Sequence, residues 1–499
     1  MRKLKKFSAA LPGRNILTIA KILLYASVFV GALFSTVDPD LGWELKYGEY
    51  FLKYHQVLKT NYFSTIMPHY YWINHSWGAD VILYALYHRF GFFGLTVAGA
   101  ILVTLTFYFF AKAARLSVLH KAILFPVLLF LEYPLNFGSL RPQLMSLFLF
   151  SILIYLISEY ERGRHKQIFF VVPLLLVWAN IHGEFILGLA VFSLWLALHG
   201  AKLVITQEQE GRKNIALLGS VLVLASLVVL INPFGMGIYV ETFTHFLNPN
   251  LHYIIEWQPL PLFSRLWWQL VVVGALFVWS SYLLISRQLF KEAFPWILIA
   301  AIIFILSLTS RRYVWPFFYL ALPFLAVLIE ELHHERIKHT AAVALGAACV
   351  IVVAVLVIKS PFDKYTNYSW NTYCQARLCS SRAADYLISH HLNTDPNLLT
   401  QYDLGGWLIW NYYPQIKPTI DGRMTLWIGD NRYNALQDYI QYEYNIKDID
   451  QSKYDVVFTS TNKPYMYRFV QLVNQGKWKI AYVDHRIAIL IRAKPKTLN

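Results

Sequence analysis

The chain reads as a succession of long apolar runs that gives way, near its last third, to short mixed segments. Asn15–Ser35, Phe92–Ala111, Leu144–Ile157, Ile215–Ile231 and Ala341–Ile358 reach or approach the ~20 residues a helix needs to cross hydrocarbon. Read in order, the runs predict eleven spans, ending near residues 35, 111, 134, 159, 180, 203, 231, 286, 308, 331 and 358. The first run is long and closes on Ser35-Thr36-Val37-Asp38 without a small-x-small site, so it reads as a retained span, not a cleaved signal peptide. His75–Arg89 is apolar but short, carries Asp80, and leads through Gly91 into a better run. It is expected to lie on the outer leaflet as an interfacial helix, rich in Trp and Tyr. Trp43–Tyr54 reads as a further amphipathic helix.

Beyond about Lys359 the period changes. Helix-like patterns at Ser381–His391, Tyr433–Tyr444 and Tyr465–Asn474 are interspersed with strand-like runs. Those runs are Asn397–Gln401, Thr419–Asp421, Asp455–Thr459, Trp478–Val483 and Arg486–Ile491, and Asp403-Leu404-Gly405-Gly406 reads as a turn. Strands alternating with helices indicate a small α/β domain. The expected architecture is an α-helical polytopic membrane module over residues 1–359, with a first outer loop at 36–91, and a C-terminal α/β domain over 360–499.

Composition agrees with the pattern. Of 499 residues, 57% are hydrophobic and 15% charged, against about 25% charged in soluble domains. A net charge of +15 would suggest nucleic acid in a soluble protein. Here the cations follow orientation. With the N-terminus inside, the inner loops hold 18 Lys and Arg and the outer loops before the last span hold 8, which the positive-inside rule requires. An odd span count then places the C-terminal domain outside, and no nucleic-acid partner is expected. No GxGxxG or P-loop signals a nucleotide. Cys349 reads as packing within the last span. Cys374 and Cys379 either form a disulfide in an oxidising compartment or remain two thiols, and C-x4-C without further ligands is no zinc signature.

Candidate chemistry gathers at the outer ends of the spans. Asp38 and Asp40 follow the first span directly; acids at that depth line a wet cavity, or else cap the next helix. His75 in Trp72-Ile73-Asn74-His75-Ser76-Trp77, Arg141-Pro142-Gln143, Trp178-Ala179-Asn180-Ile181-His182-Gly183-Glu184, Asn232-Pro233-Phe234-Gly235, Glu256-Trp257-Gln258 and Ser310-Arg311-Arg312-Tyr313 all fall on the same face. Singly, each reads as a cap, an interface anchor or a snorkelling cation; their convergence favours a site.

These motifs, with Asp38-Pro39-Asp40-Leu41-Gly42-Trp43 at their head and Gly405-Gly406 and Asp421-Gly422-Arg423 in the C-terminal domain, resemble bacterial membrane proteins of the GT-C glycosyltransferase superfamily. These are relatives of the protein mannosyltransferases and the lipid A aminoarabinose transferase. An acid often follows the His of the Trp-x-x-His motif in such proteins, whereas Ser76 stands here with Asp80 nearby. The resemblance implies a plasma (inner) membrane enzyme that transfers a sugar from a polyprenyl-phosphate donor, with inversion, to an outer-face acceptor in the form of a lipid, glycan or protein. It implies Asp38 as base, with Asp40 orienting the acceptor or helping to bind a divalent cation. Arg141, Arg311, Arg312, His75 and His182 are the expected donor-phosphate ligands, and Glu184 and Glu256 the expected sugar ligands. The rival reading is a non-catalytic transporter or flippase of a lipid-linked glycan. That would call for polar residues through the spans and inverted repeats with broken helices, and neither is clear in the sequence.

Overall fold

The computed structural model describes residues 13–132, 139–205, 209–332, 367–394, 397–429 and 432–494. Its membrane module is built from α1 (Gly13–Gly31), α2 (Leu41–Tyr54), α3 (Trp77–Ala113), α4 (Val118–Glu132), α5 (Pro142–Glu161), α6 (Val171–Ile181), α7 (Phe185–Ile205), α8 (Gln209–Val228), α9 (Gly237–Leu247), α10 (Arg265–Ser286), α11 (Phe290–Thr309) and α12 (Val314–Leu332). Six helical stretches, in α3, α5, α7, α10, α11 and α12, are long and apolar enough to cross a membrane, and four shorter apolar ones lie in α1, α4, α6 and α8. The chain is a multi-pass membrane protein. The helix is the form such segments take because hydrocarbon offers the backbone no other hydrogen-bond partner. The first ten expected spans each fall on one of these helices; the eleventh, Ala341–Ile358, lies outside the described residues. Within the bundle α5 and α12 are mostly buried in protein, whereas α7, α10 and α11 turn most of their surface outward.

The expected separation of His75–Arg89 from the next span is visible as a break. Gly91 sits at φ 60°, ψ −155° inside α3, a conformation glycine adopts without strain. The helix before it is covered by the C-terminal domain, with the Trp410 ring 6.1 Å from Tyr84 and 5.5 Å from Tyr87.

That domain contains α13 (Trp370–Arg377), α14 (Ser381–Ser389), β1 (Leu398–Thr400), α15 (Gly405–Tyr412), α16 (Ala435–Glu443), β2 (Val456–Ser460), α17 (Met466–Asn474), β3 (Trp478–Val483) and β4 (Ile487–Arg492). The strands form one mixed sheet in the order β1-β2-β4-β3, with β1 and β2 parallel and the other pairs antiparallel. Successive residues serve opposite faces, as the pleat dictates. Leu399, Val457, Ala488 and Leu490 share a core with Phe469 and Leu472 of α17. Leu398, Val456, Phe458 and Ile489 share the other with Ala383 and Leu387 of α14.

Two expectations fail here. Thr419–Asp421 is not a strand: the Thr419 N–H donates to Thr400 Oγ1 at 2.9 Å, so side chains replace a backbone ladder beside β1. Asp403–Gly406 is not a free turn but a 3-10 turn, Tyr402–Leu404, that runs straight into α15. Cys374 and Cys379 are disulfide-bonded and close the end of α13.

Candidate active site

The loop after α1 turns on Asp38, whose Oδ1 accepts the Asp40 N–H at 3.0 Å. Asp40 occupies the N-cap position of α2, yet its side chain caps nothing. Its Oδ1 accepts instead from Trp43 Nε1 at 2.9 Å. Burial, then the neighbouring Asp38 charge, pushes the Asp40 carboxyl up to about 7. Behind it Glu44 is buried and pushed well above the usual carboxylate range by desolvation and the adjacent acids. The C-terminal domain grips the same loop. Tyr373 Oη donates to the Asp38 carbonyl at 2.8 Å, and Arg377 Nε donates to the carbonyl of Val37.

Arg141 precedes α5, with Pro142 fixing the first helical position as proline does at N1. Its Nη1 reaches Glu256 Oε1 at 2.6 Å and Asp38 Oδ2 at 3.4 Å, and it holds the Glu256 carboxyl below the usual range against burial. Arg312, in the short turn that opens α12, donates from Nε to Glu184 Oε1 at 2.7 Å and lies 4.8 Å from the Trp257 ring. Its Nη2 is 3.3 Å from His182 Nε2. A guanidinium only donates, so Nε2 must accept, and the imidazole proton belongs on Nδ1, 3.5 Å from Glu184 Oε2. Burial would raise Glu184, but His182 and Arg312 outweigh it and hold the carboxyl well down. His182 itself is lowered by desolvation, partly offset by Glu184. It is a neutral ring wedged between a cation and an anion.

Two connected cavities open on these groups. The narrower, about 250 Å³, has an apolar wall of Leu147, Phe150, Trp178, Leu187 and Trp315 and a polar end at Asp38, Arg141, Arg312 and Arg311. The wider, about 930 Å³, runs from Asp38, Arg141, His182 and Arg312 to the C-terminal domain, where Tyr402, Asp403, Glu443 and Lys463 form its far wall. Asp38, Arg141, Glu256 and Arg312 line both. All nine residues singled out from the sequence line one cavity or the other: Asp40, His75 and His182 the wide one, Glu184 and Arg311 the narrow one. Glu184 and Glu256, expected on sugar hydroxyls, serve here as counterions to Arg312 and Arg141. Asp80 is not in the site; it is buried and accepts from Asn74 Nδ2 at 2.6 Å.

Sequence reasoning missed several neighbours. His245 of α9 completes a group of three imidazoles, with ring centroids 5.6 Å (His75 to His182) and 6.3 Å (His75 to His245) apart; burial lowers His245 to about 3. Glu241 on the same helix lines the wide cavity, its carboxyl raised to about 7 by burial. Arg377 lines both cavities. His245 stands in the same long outer loop as Glu256 and could have been found there; nothing local marks Arg377. Among the described residues no three His, Cys, Asp or Glu side chains converge as metal ligands; Asp38 Oδ2 lies 3.4 Å from Arg141 Nη1 and Asp40 Oδ1 accepts from Trp43.

No protein-family model matches the sequence, and no curated protein matches it. Solved structures do match. One is ArnT from Cupriavidus metallidurans bound to undecaprenyl phosphate, with a TM-score of 0.51 over 95% of this chain and 97% of that one, at 13% identity. Another is the archaeal oligosaccharyltransferase AglB from Archaeoglobus fulgidus in complex with an inhibitory peptide and a dolichol-phosphate, at 0.54 over 91% and 70%, with 13% identity. The Archaeoglobus fulgidus oligosaccharyltransferase in the apo form gives 0.55 over the same shares, also at 13% identity. Identity this low carries the fold and not the activity. The chain shares the fold of these solved structures, as the resemblance read from its sequence motifs implies.

Proposed function

We propose that this protein transfers a sugar from a polyprenyl-phosphate donor to a hydroxyl-bearing or similar acceptor at the outer face of the membrane. One observation carries the reading: Asp38, Arg141, His182 and Arg312, contributed by four separate segments, meet at one cavity, and a second, apolar-walled cavity joins it at Asp38 and Arg141. An isoprenoid chain requires an apolar wall, and a sugar acceptor requires a polar, wet one. The neighbours in complex with undecaprenyl phosphate and dolichol-phosphate add support for a lipid-phosphate carrier.

The chemistry is an inverting displacement. The acceptor oxygen attacks the anomeric carbon, the bond from that carbon to the phosphate oxygen breaks, and the bonding pair leaves with the lipid phosphate. Asp38 takes the acceptor proton as general base. Asp40, its carboxyl raised by burial and by the Asp38 charge, is hydrogen-bonded to Asp38 through its backbone N–H and orients the acceptor. The guanidiniums meet the phosphate charge that develops on departure. Glu184 and Glu256 fix Arg312 and Arg141 at the cavity wall as ion pairs.

Asp38→Asn keeps size and most hydrogen bonding but removes basicity. In membranes with matched protein levels, sugar transfer from a polyprenyl-phosphate donor is expected to fall by about 10²–10⁴-fold. Turnover within a few-fold of wild type would move the base to Asp40 or end the assignment.

A further inference from the structure

The narrow cavity sets four guanidiniums, Arg141, Arg311, Arg312 and Arg377, against three carboxylates, Asp38, Glu184 and Glu256. The pairing is uneven. Arg141 is taken by Glu256 and Asp38, and Arg312 by Glu184. Arg311 and Arg377 form no ion pair among the described residues. Arg377 gives its Nε–H to the Val37 carbonyl, which leaves the rest of a five-donor fork toward the cavities it lines. Arg311 Nε is buried without a hydrogen-bond partner among the described residues. Cations already neutralised by carboxylates have little left for a phosphate, whereas unpaired guanidiniums in a partly dry cavity call for an anion.

We propose that Arg377, reaching in from the C-terminal domain, binds the carrier phosphate together with Arg311, while Arg141 and Arg312 chiefly serve the carboxylates. The inference rests on the lipid-phosphate reading above and deepens it: the membrane module alone would hold an incomplete donor site. The competing explanation is that Arg377 only positions the Asp38 loop and sits well at the C-terminal end of α13, where a cation is favourable. Tyr373 separates the two. It makes the other hydrogen bond from α13 to that loop, through the Asp38 carbonyl, and carries no charge.

The test is direct binding of undecaprenyl phosphate to the purified full-length protein in detergent. Arg377→Gln is expected to weaken it by about 10- to 100-fold, as loss of charged hydrogen bonds does. Tyr373→Phe should stay within a few-fold of wild type. If Arg377→Gln does not fold, Arg377→Lys takes its place in the same comparison, since a point charge replaces the planar fork. Equal losses in the Arg377 and Tyr373 variants would assign the effect to loop positioning and overturn the proposal. Wild-type affinity in the Arg377 variant would overturn it while leaving the donor reading intact. A wild-type protein that does not bind undecaprenyl phosphate would remove both.

Discussion

Asp40 shows how the site acts on stability as well as on chemistry. Its carboxyl is pushed up to about 7 by burial and by Asp38, against about 3.9 in an unfolded chain. The neutral form is therefore favoured in the folded state, which binds more protons than the unfolded chain across that interval. The resulting stabilisation is whole below the unfolded value and is lost as pH rises through about 7. Asp40→Asn fixes the side chain in a neutral form. Thermal unfolding followed from about pH 5 to about pH 8 should show the wild type losing Tm relative to the variant, with the two curves parallel above that window. Parallel curves throughout would mean that Asp40 titrates as an ordinary carboxylate. At this scale the site was largely legible: Asp38, Arg141, His182 and Arg312 are polar, ionisable residues at apolar-run ends, where a bland explanation is expensive. Arg377 was not, because its partner Val37 is distant in sequence and no local pattern encodes such a contact.

At the scale of elements, what was legible followed periodicity. The β2, β3 and β4 runs alternate or are rich in β-branched residues, so their strands could be read. Thr419–Asp421 has that composition too, but Thr419 spends both its N–H and its hydroxyl on the β1 segment. The Gly405-Gly406 pair reads as a turn because glycine weakens helices; its real role is contact. A Cβ at Gly42 of α2 would lie 2.0 Å from the Gly406 carbonyl oxygen, and one at Gly406 would lie 2.3 Å from that of Pro39. The first outer loop and α15 thus meet backbone to backbone. Beside them, the fully buried Asp421–Arg423 pair takes Ser64 and Asn61 of that loop as partners. Gly42→Ala is expected to push the C-terminal domain off this surface. The variant should unfold at lower temperature and be cut more readily by protease, with activity falling alongside. A variant with wild-type protease resistance and Tm would show that the close approach is not needed for docking.

For the whole molecule, the membrane axis can be read along a single helix. α5 starts beside Arg141 in the site and ends at Arg162 after 20 residues, which at 1.5 Å per residue is about 30 Å, one hydrocarbon thickness. At the far end Arg162 pairs with Glu159 and donates to the carbonyl of Lys112, with Arg164 beside it. The site and this basic cluster therefore occupy opposite ends of a membrane-length segment, and the cluster is the end that the positive-inside rule keeps in the cytoplasm. The C-terminal domain sits at the Asp38 end, held by Tyr373 and Arg377, so it shares with the site one side of the membrane, which the charge asymmetry predicts to be the outer one. Arg164 and Tyr467 are both exposed, with 65% side-chain and 75% residue exposure, so each can be exchanged for cysteine and probed in intact cells. A membrane-impermeant thiol reagent should label Tyr467→Cys and spare Arg164→Cys until the cells are opened. The reverse pattern would turn the site toward the cytoplasm, where the acceptor would have to be found. Labelling of both from outside would break the link between α5 and the membrane on which the outer-face reaction depends.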